Sequence, residues 1–128
     1  MKVFLSYHFR GDGDLAQAVE RLLSSHDALP AKGRRLGGEQ LTAEVRRLIE
    51  NCDGLIALMT RREPLGDGDR WVTHPWVRDE YGHARATDKP AIALVEDGVE
   101  VEGAYAGHEW IPLDRESPLE AFLALSET

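Results

Sequence analysis

The chain has 128 residues, of which 42% are hydrophobic and 30% are charged, so it can bury the core of one domain. Its formal net charge of −8 argues against a nucleic-acid or membrane partner, and no apolar run approaches the ~20 residues that span a bilayer. The single cysteine, Cys52, excludes an internal disulfide, fits a cytoplasmic location and is expected to be a buried structural thiol. Because a strand pattern begins at Met1, we expect no leader segment.

Strand-like and helix-like segments alternate along the chain. Apolar, β-favouring runs predict strands at residues 1–7, 54–59, 91–95 and 110–113, with only a stub of strand near 27–30. Apolar residues at helical spacing predict helices at residues 14–23, 39–51, 75–86 and 118–125. Asp14 is a suitable N-cap for the first helix, and Pro112 places the last strand at a sheet edge. This alternation predicts an α/β fold, in which a parallel sheet carries helices on both faces.

Parallel sheets of this kind bind ligands beyond the carboxyl ends of their strands. The loops expected at that edge cover residues 7–14, 31–38, 60–76 and the segment from 96 onward. The polar stretch 60–73 predicts an irregular loop of unusual length. Six cations fall in these loops, namely Arg10, Lys32, Arg34, Arg35, Arg61 and Arg62. They are either solvated surface charges or guanidinium and ammonium groups that bind a diphosphate.

Several motifs that α/β proteins use are missing from the sequence. Gly11 and Gly13 follow a strand without the spacing of a dinucleotide fingerprint, and there is no Walker lysine. A receiver domain would need an aspartate after the third strand, where this chain has Thr60. Five histidines lack the paired spacing of metal ligands, so we predict no metal site from His8, His26, His74, His83 and His108.

The helix predicted after His74 and Pro75 carries Trp76 and Glu80 one turn apart on the same face. An indole beside a carboxylate is a plausible way to hold a flat, positively charged ring, such as nicotinamide. The alternative is ordinary: Glu80 is a solvated surface residue and Trp76 only packs. Asp79 points elsewhere on the helix, so we give it no catalytic role.

Four segments, in this order, resemble the motifs of TIR domains. They are the first strand at residues 4–7, the helix-to-strand junction at 51–59, the Trp-x-x-x-Glu helix from Trp76 to Glu80, and the strand at 89–95. The resemblance spans residues 1–128 as one domain and is nearer to bacterial NAD-cleaving TIR proteins than to receptor-linked ones. It implies a flavodoxin-like three-layer sandwich with a parallel sheet of about five strands.

The resemblance also implies an activity, which is cleavage of NAD+ at the nicotinamide–ribose bond. The product would be ADP-ribose or a cyclic or conjugated form of it, made in anti-phage defence, with NAD+ as a substrate and no cofactor. Glu80 would be the catalytic residue. The substrate would be bound by the loop after the first strand and by the indole of the helix, namely by Tyr7, His8, Phe9, Arg10 and Trp76.

The loop that TIR domains call the BB loop maps onto residues 31–38. Its candidate residues are Lys32, Gly33, Arg34, Arg35 and Gly37. In the family this loop controls self-association into an oligomer or filament, so the resemblance implies that activity depends on assembly. A sensor protein or sensor domain is a further implied partner.

Two other functions remain open at this point. In the first alternative, the chain is a non-catalytic interaction module that associates through the BB loop. In the second, it is a nucleoside deoxyribosyltransferase-like enzyme that uses a glutamate on a related sheet. The Trp76–Glu80 pair favours an enzyme over the interaction module, and the loop arginines weakly favour a phosphorylated ligand over a nucleoside.

Overall fold

The computed structural model describes residues 1–8, 11–32, 42–66, 68, 70–100 and 110–117. Its strands are β1 (Lys2–Ser6), β2 (Leu29–Ala31), β3 (Gly54–Met59), β4 (Glu63–Pro64), β5 (Trp71–Val72), β6 (Ala91–Glu96) and β7 (Trp110–Leu113). Its helices are α1 (Gly13–Ser25), α2 (Ala43–Glu50) and α3 (Pro75–Ala86). Within the described residues, none of these helices has the length and apolar character needed to cross a bilayer.

Five strands form one parallel sheet in the order β2-β1-β3-β6-β7. The predicted α/β, flavodoxin-like architecture is therefore confirmed, and β7 lies at the sheet edge, as Pro112 predicts. The side chains of each strand alternate between two core layers. Val3 and Leu5 pack with α1 on one face of the sheet, whereas Phe4 packs with α2 and α3 on the other face.

Helix α3 follows its prediction at both ends. Pro75 occupies the first turn, where a proline costs no hydrogen bond, and the helix ends at Ala86. Its buried side chains all face the sheet or α2, and they are Trp76, Val77, Glu80, Tyr81 and Ala84. Cys52 is buried in the same core layer, which confirms its predicted structural setting, and burial raises the pKa of its thiol.

Some element boundaries differ from the predictions. Helix α1 begins at Gly13, so Asp14 lies in its first turn and is not its N-cap. The N-cap position belongs to Asp12, whose side chain makes no capping bond because it is engaged elsewhere. Helix α2 begins after Thr42, whose hydroxyl accepts the backbone N–H of Val45 at 3.2 Å. The predicted helical residues 39–41 and the predicted last helix, 118–125, lie outside the described residues.

The segment 60–73 is not wholly irregular, which corrects the prediction of a long loop. Strands β4 and β5 pair within it as an antiparallel hairpin. The hairpin is joined to the turn after β6, because Trp71 N–H donates to the Gly98 carbonyl and Glu100 N–H donates to the Trp71 carbonyl, both at 2.8 Å. Strands of two residues are too short to produce an alternating pattern, so the sequence gives no periodic signal for them.

Candidate active site

A cavity of about 520 Å³ opens at the carboxyl edge of the sheet, where ligands of parallel sheets bind. The loops after β1, β3 and β6, the start of α3 and the segment after β7 all contribute to it. Its lining residues are His8, Gly11, Asp12, Thr60, Arg61, Arg62, His74, Trp76, Glu96 and Arg115. Predicted site residues His8 and Trp76 are therefore brought together in one cavity.

Three aromatic rings form one part of this wall. The imidazoles of His8 and His74 stack with centroids 4.3 Å apart and planes inclined by 8°. The Trp76 ring lies 5.0 Å from His74 and 5.7 Å from His8, tilted against both. Gly11 allows this packing, because a Cβ atom at that position would lie 2.8 Å from Cδ2 of His8.

A buried series of polar groups is hydrogen-bonded to the ring of His74. The Thr60 hydroxyl donates to Oδ2 of Asp12 at 2.5 Å and lies 3.1 Å from Nε2 of His74. Since a hydroxyl has only one hydrogen, this series assigns the proton to Nε2 of His74, which then donates to Thr60. Burial, and then the neighbouring His8, lower the pKa of His74 to about 4, so its ring is neutral near pH 7.

Glu80 lies one helical turn after Trp76 in α3 and is only 4% exposed. Its Oε1 accepts a hydrogen bond of 2.6 Å from the hydroxyl of Ser6, at the carboxyl end of β1. Burial raises the pKa of Glu80 to about 7, opposed by the Ser6 bond and assisted by the charge of Asp79. The interpretation of Glu80 as a solvated surface residue is therefore wrong, whereas Asp79, which we expected to point elsewhere on the helix, is exposed.

Glu80 does not itself line the cavity, although Trp76 does. Its carboxylate is held between the end of β1 and α3, by the hydrogen bond from Ser6. Buried carboxylates with raised pKa values are concentrated at functional sites, because retaining an ionisable group in an apolar setting costs stability. Because Glu80 is buried and is not among the lining residues, its contact with a ligand requires the side chains around it to rearrange, and catalytic geometry often tightens only in the complex.

The other predicted residues have different positions. Tyr7 is buried in the core layer of α1 and does not line the cavity. Lys32 forms an ion pair with Glu20, also away from the cavity. Phe9 and Arg10 of the first loop lie outside the described residues, as do the remaining BB-loop residues Gly33, Arg34, Arg35 and Gly37.

The cavity includes residues that the sequence patterns did not single out as a site. They lie on five separate segments, each at or within two residues of the end of a strand or helix, and they are Asp12, Thr60, His74, Glu96 and Arg115. That placement at element ends was the only local signal available. Within the described parts of the chain, no group of three His, Cys, Asp or Glu side chains is arranged to hold a metal ion.

Trp76 already has a cation against its ring. The guanidinium carbon of Arg62 lies 5.5 Å from the ring centroid, within the range of a cation–π contact. The sequence-based interpretation of Trp76 as a platform for a cationic ring therefore meets a positive charge of the protein's own. A ligand ring that stacks on this indole must displace Arg62 or use the face that Arg62 leaves open.

Comparison with known proteins gives a likeness of fold. No protein-family model matches the sequence, and no curated protein sequence matches it. Among solved structures, the chain is similar to BcmB, a CMP N-glycosidase of Clostridium botulinum, with a TM-score of 0.60 and 15% sequence identity. The similarity covers 98% of this chain and 99% of that one, so the two share the architecture of the whole α/β domain.

Proposed function

We propose that this protein is an N-glycosidase that hydrolyses the bond between ribose and base in a nucleotide, with Glu80 as the catalytic carboxylate. One observation carries the proposal. A carboxylate is kept 4% exposed at the ligand edge of a parallel sheet, with its pKa raised to about 7 and, among the described contacts, a hydroxyl as its hydrogen-bond partner. In the described contacts no cation neutralises Glu80, whereas a purely structural ion pair would supply one.

The chemistry requires one negative charge near the anomeric carbon. As the C1′–N bond breaks, its electron pair leaves with the base and positive charge develops on the ribose. Ionised Glu80 can stabilise that charge or form a transient ester with C1′. Water then supplies a hydroxyl group to C1′ and releases a proton, so the reaction is a hydrolysis.

NAD+ is the substrate that we propose first, on the basis of the TIR resemblance. Its nicotinamide is cationic before cleavage and leaves as a neutral molecule, so it needs no general acid. This requirement is compatible with the site, because Asp12 and Glu96, the two carboxylates among the described lining residues, are both paired with arginines, whereas Glu80 has no ion pair in the described contacts. An anti-phage role and self-association through the BB loop belong to the same proposal.

A nucleoside 5′-monophosphate is the second candidate substrate. It is favoured by the likeness to a CMP N-glycosidase over nearly the full length of both chains. Cytosine is a poorer leaving group than nicotinamide, because it departs with negative charge unless it is protonated. This candidate therefore asks Glu80 to act at least partly in its protonated form, which a pKa of about 7 would supply.

Incubation of the purified protein with NAD+, CMP and cytidine, followed by chromatography of the products, tests the proposal. We expect nicotinamide and an ADP-ribose product from NAD+. Free cytosine from CMP would instead support the second candidate, and cytosine from cytidine alone would support the deoxyribosyltransferase-like alternative. Absence of any free base over a range of protein concentrations would contradict the proposal and favour the interaction module.

Activity should depend on pH through Glu80. If the ionised carboxylate is required, kcat/KM for NAD+ falls as the pH is lowered through about 7. Replacing Ser6 with alanine removes a hydrogen bond that lowers the pKa of Glu80, so the fall in activity should move to higher pH. A Ser25→Ala variant removes a hydroxyl at the exposed end of α1 and should keep the parent profile. A Ser6→Ala profile that coincides with the parent profile would contradict this link.

A further inference from the structure

The arginines that line the cavity differ in how far carboxylates neutralise them. Arg115 forms an ion pair with Asp12, and its Nε lies 3.6 Å from Oε2 of Glu96. Arg61 also contacts Glu96, at 3.9 Å, and donates from Nε to the carbonyl of Asp97 at 2.8 Å. Asp12 is therefore paired with Arg115, and Glu96 is paired with both Arg115 and Arg61. Three arginines and two carboxylates line the cavity, so its charged side chains sum to a net positive charge, and Arg62 is the arginine that neither carboxylate pairs with in the described contacts.

Arg62 has little within the described residues to neutralise it. Its ion-pair contact is its sequence neighbour Glu63, at 3.9 Å, and that side chain is 67% exposed. Exposed pairs of this kind contribute little, since water and salt screen them. The guanidinium instead lies over the Trp76 ring, and Arg62 is one of the residues that line the cavity.

The hairpin fixes the position from which Arg62 extends. The Arg62 backbone N–H donates to the Val72 carbonyl at 2.9 Å, which joins it to β5. Strand β5 is in turn bonded to residues 98 and 100, and Arg70 next to it binds Glu100 through Nε at 2.6 Å. A cation carried on a tethered element loses less entropy when it binds a ligand than one on a free loop.

We propose that Arg62 binds the 5′-phosphate of the substrate and makes the site select nucleotides over nucleosides. A guanidinium presents a planar fork of donors that matches two phosphate oxygens, and a phosphate supplies the negative charge that the cavity wall lacks. The inference rests on the proposed N-glycosidase function and narrows its substrate class. It also assigns a role to the β4–β5 hairpin, whose first strand directly follows Arg62.

The test compares two substrate pairs that differ only in the phosphate, which are nicotinamide mononucleotide with nicotinamide riboside, and CMP with cytidine. In Arg62→Gln, the ratio of kcat/KM for the phosphorylated member to kcat/KM for the nucleoside should fall by about 10–100-fold, the loss of one charge-assisted contact. Arg62→Lys should recover part of the loss, since it restores the charge without the fork. Arg46→Gln removes an equal charge from the exposed face of α2 and should match the parent.

Binding provides a second readout that does not need turnover. Titration calorimetry compares the binding of nicotinamide mononucleotide and CMP to Glu80→Gln and to the Glu80→Gln, Arg62→Gln double variant. For each ligand that Glu80→Gln binds, the added Arg62→Gln substitution should lower the affinity by the same factor as it lowers kcat/KM. Equal losses for nucleotide and nucleoside, or a parent enzyme that does not distinguish them, would overturn the role of Arg62 while leaving Glu80-dependent cleavage intact. Binding that depends on Arg62, without cleavage that depends on Glu80, would support Arg62 and contradict the proposed activity.

Discussion

The Glu80→Gln variant is expected to lose nucleotide cleavage by at least roughly 10²–10³-fold, the usual cost of removing one preorganised electrostatic group. Glutamine has nearly the same shape and can still accept the hydrogen bond that Ser6 donates at 2.6 Å. It cannot carry the negative charge that opposes the developing ribosyl cation, nor can it form an ester with C1′. Release of nicotinamide from NAD+, measured by chromatography under initial-rate conditions, is the readout.

Asp79→Asn is the matched control for this loss. The substitution removes the carboxylate next to Glu80 in sequence, and Asp79 is exposed whereas Glu80 is buried. Its charge contributes only the smallest of the effects that raise the pKa of Glu80, so activity near pH 7 should change little. A Glu80→Gln protein as active as the parent would exclude Glu80 as the catalytic group.

The same Glu80→Gln substitution should make the protein more stable above pH 7. The pKa of Glu80 rises from 4.5 to about 7 on folding, so the unfolded state releases the proton first and stability falls as the pH rises through this window. By pH 8 the parent has lost about 3 kcal/mol in this way. Glutamine has no such loss. Urea unfolding at pH 8 should therefore show a clear gain, which shrinks as the pH is lowered toward 4.5.

His74 gives stability the opposite dependence on pH. Its pKa falls from 6.5 to about 4 on folding, so the unfolded state takes up the proton first and stability is lost as the pH falls from 6.5 toward 4. In the parent, the two buried groups largely cancel between about 4.5 and 6.5. In Glu80→Gln the His74 contribution remains alone, and stability should drop by about 3 kcal/mol between pH 7 and pH 4, beyond other titrations.

A His74→Asn substitution in the Glu80→Gln background separates this effect from general acid unfolding. Asparagine cannot take up a proton, so the acid-side loss should shrink in the double variant. Equal stability of Glu80→Gln and the parent at pH 8 would mean that the buried carboxylate carries no energetic cost. An acid loss that survives the removal of His74 would assign it to other groups.

The sequence was sufficient for the parts of the fold that local patterns encode. Helix α3 was predicted at both ends because a first-turn proline and apolar residues at helical spacing both act within a few turns of the chain. Strand β3 was predicted because a continuous apolar run is typical of a strand covered on both faces. The strand alternation then restricts the topology to a few arrangements, of which a parallel flavodoxin-like sheet is one.

The site was only partly predictable, because its contacts are long-range. Arg115 and Asp12 are 103 residues apart, and Ser6 and Glu80 are 74 apart. No spacing rule relates such positions before the strand order is known. The helical spacing placed Glu80 on the same helix face as Trp76 and left a solvated position open, because the burial of Glu80 depends on β1 lying beside β3 against that helix. His74 was judged only as a metal ligand, so its role in a hydrogen-bond chain to Asp12 went unrecognised.

The two outer strands of the described sheet share a feature that bears on how copies of this protein can associate. Strand β2 contains Pro30 and β7 contains Pro112. The neighbours of each proline face inward, since Leu29 N–H donates to the Met1 carbonyl and the Leu113 carbonyl accepts from Asp97, so both prolines lack their N–H on the open side. A strand from another molecule would find a missing donor at either border, which protects against edge-to-edge aggregation. Among the described elements, the helices and loops are therefore better suited than the borders of this sheet to contacts between copies of the protein.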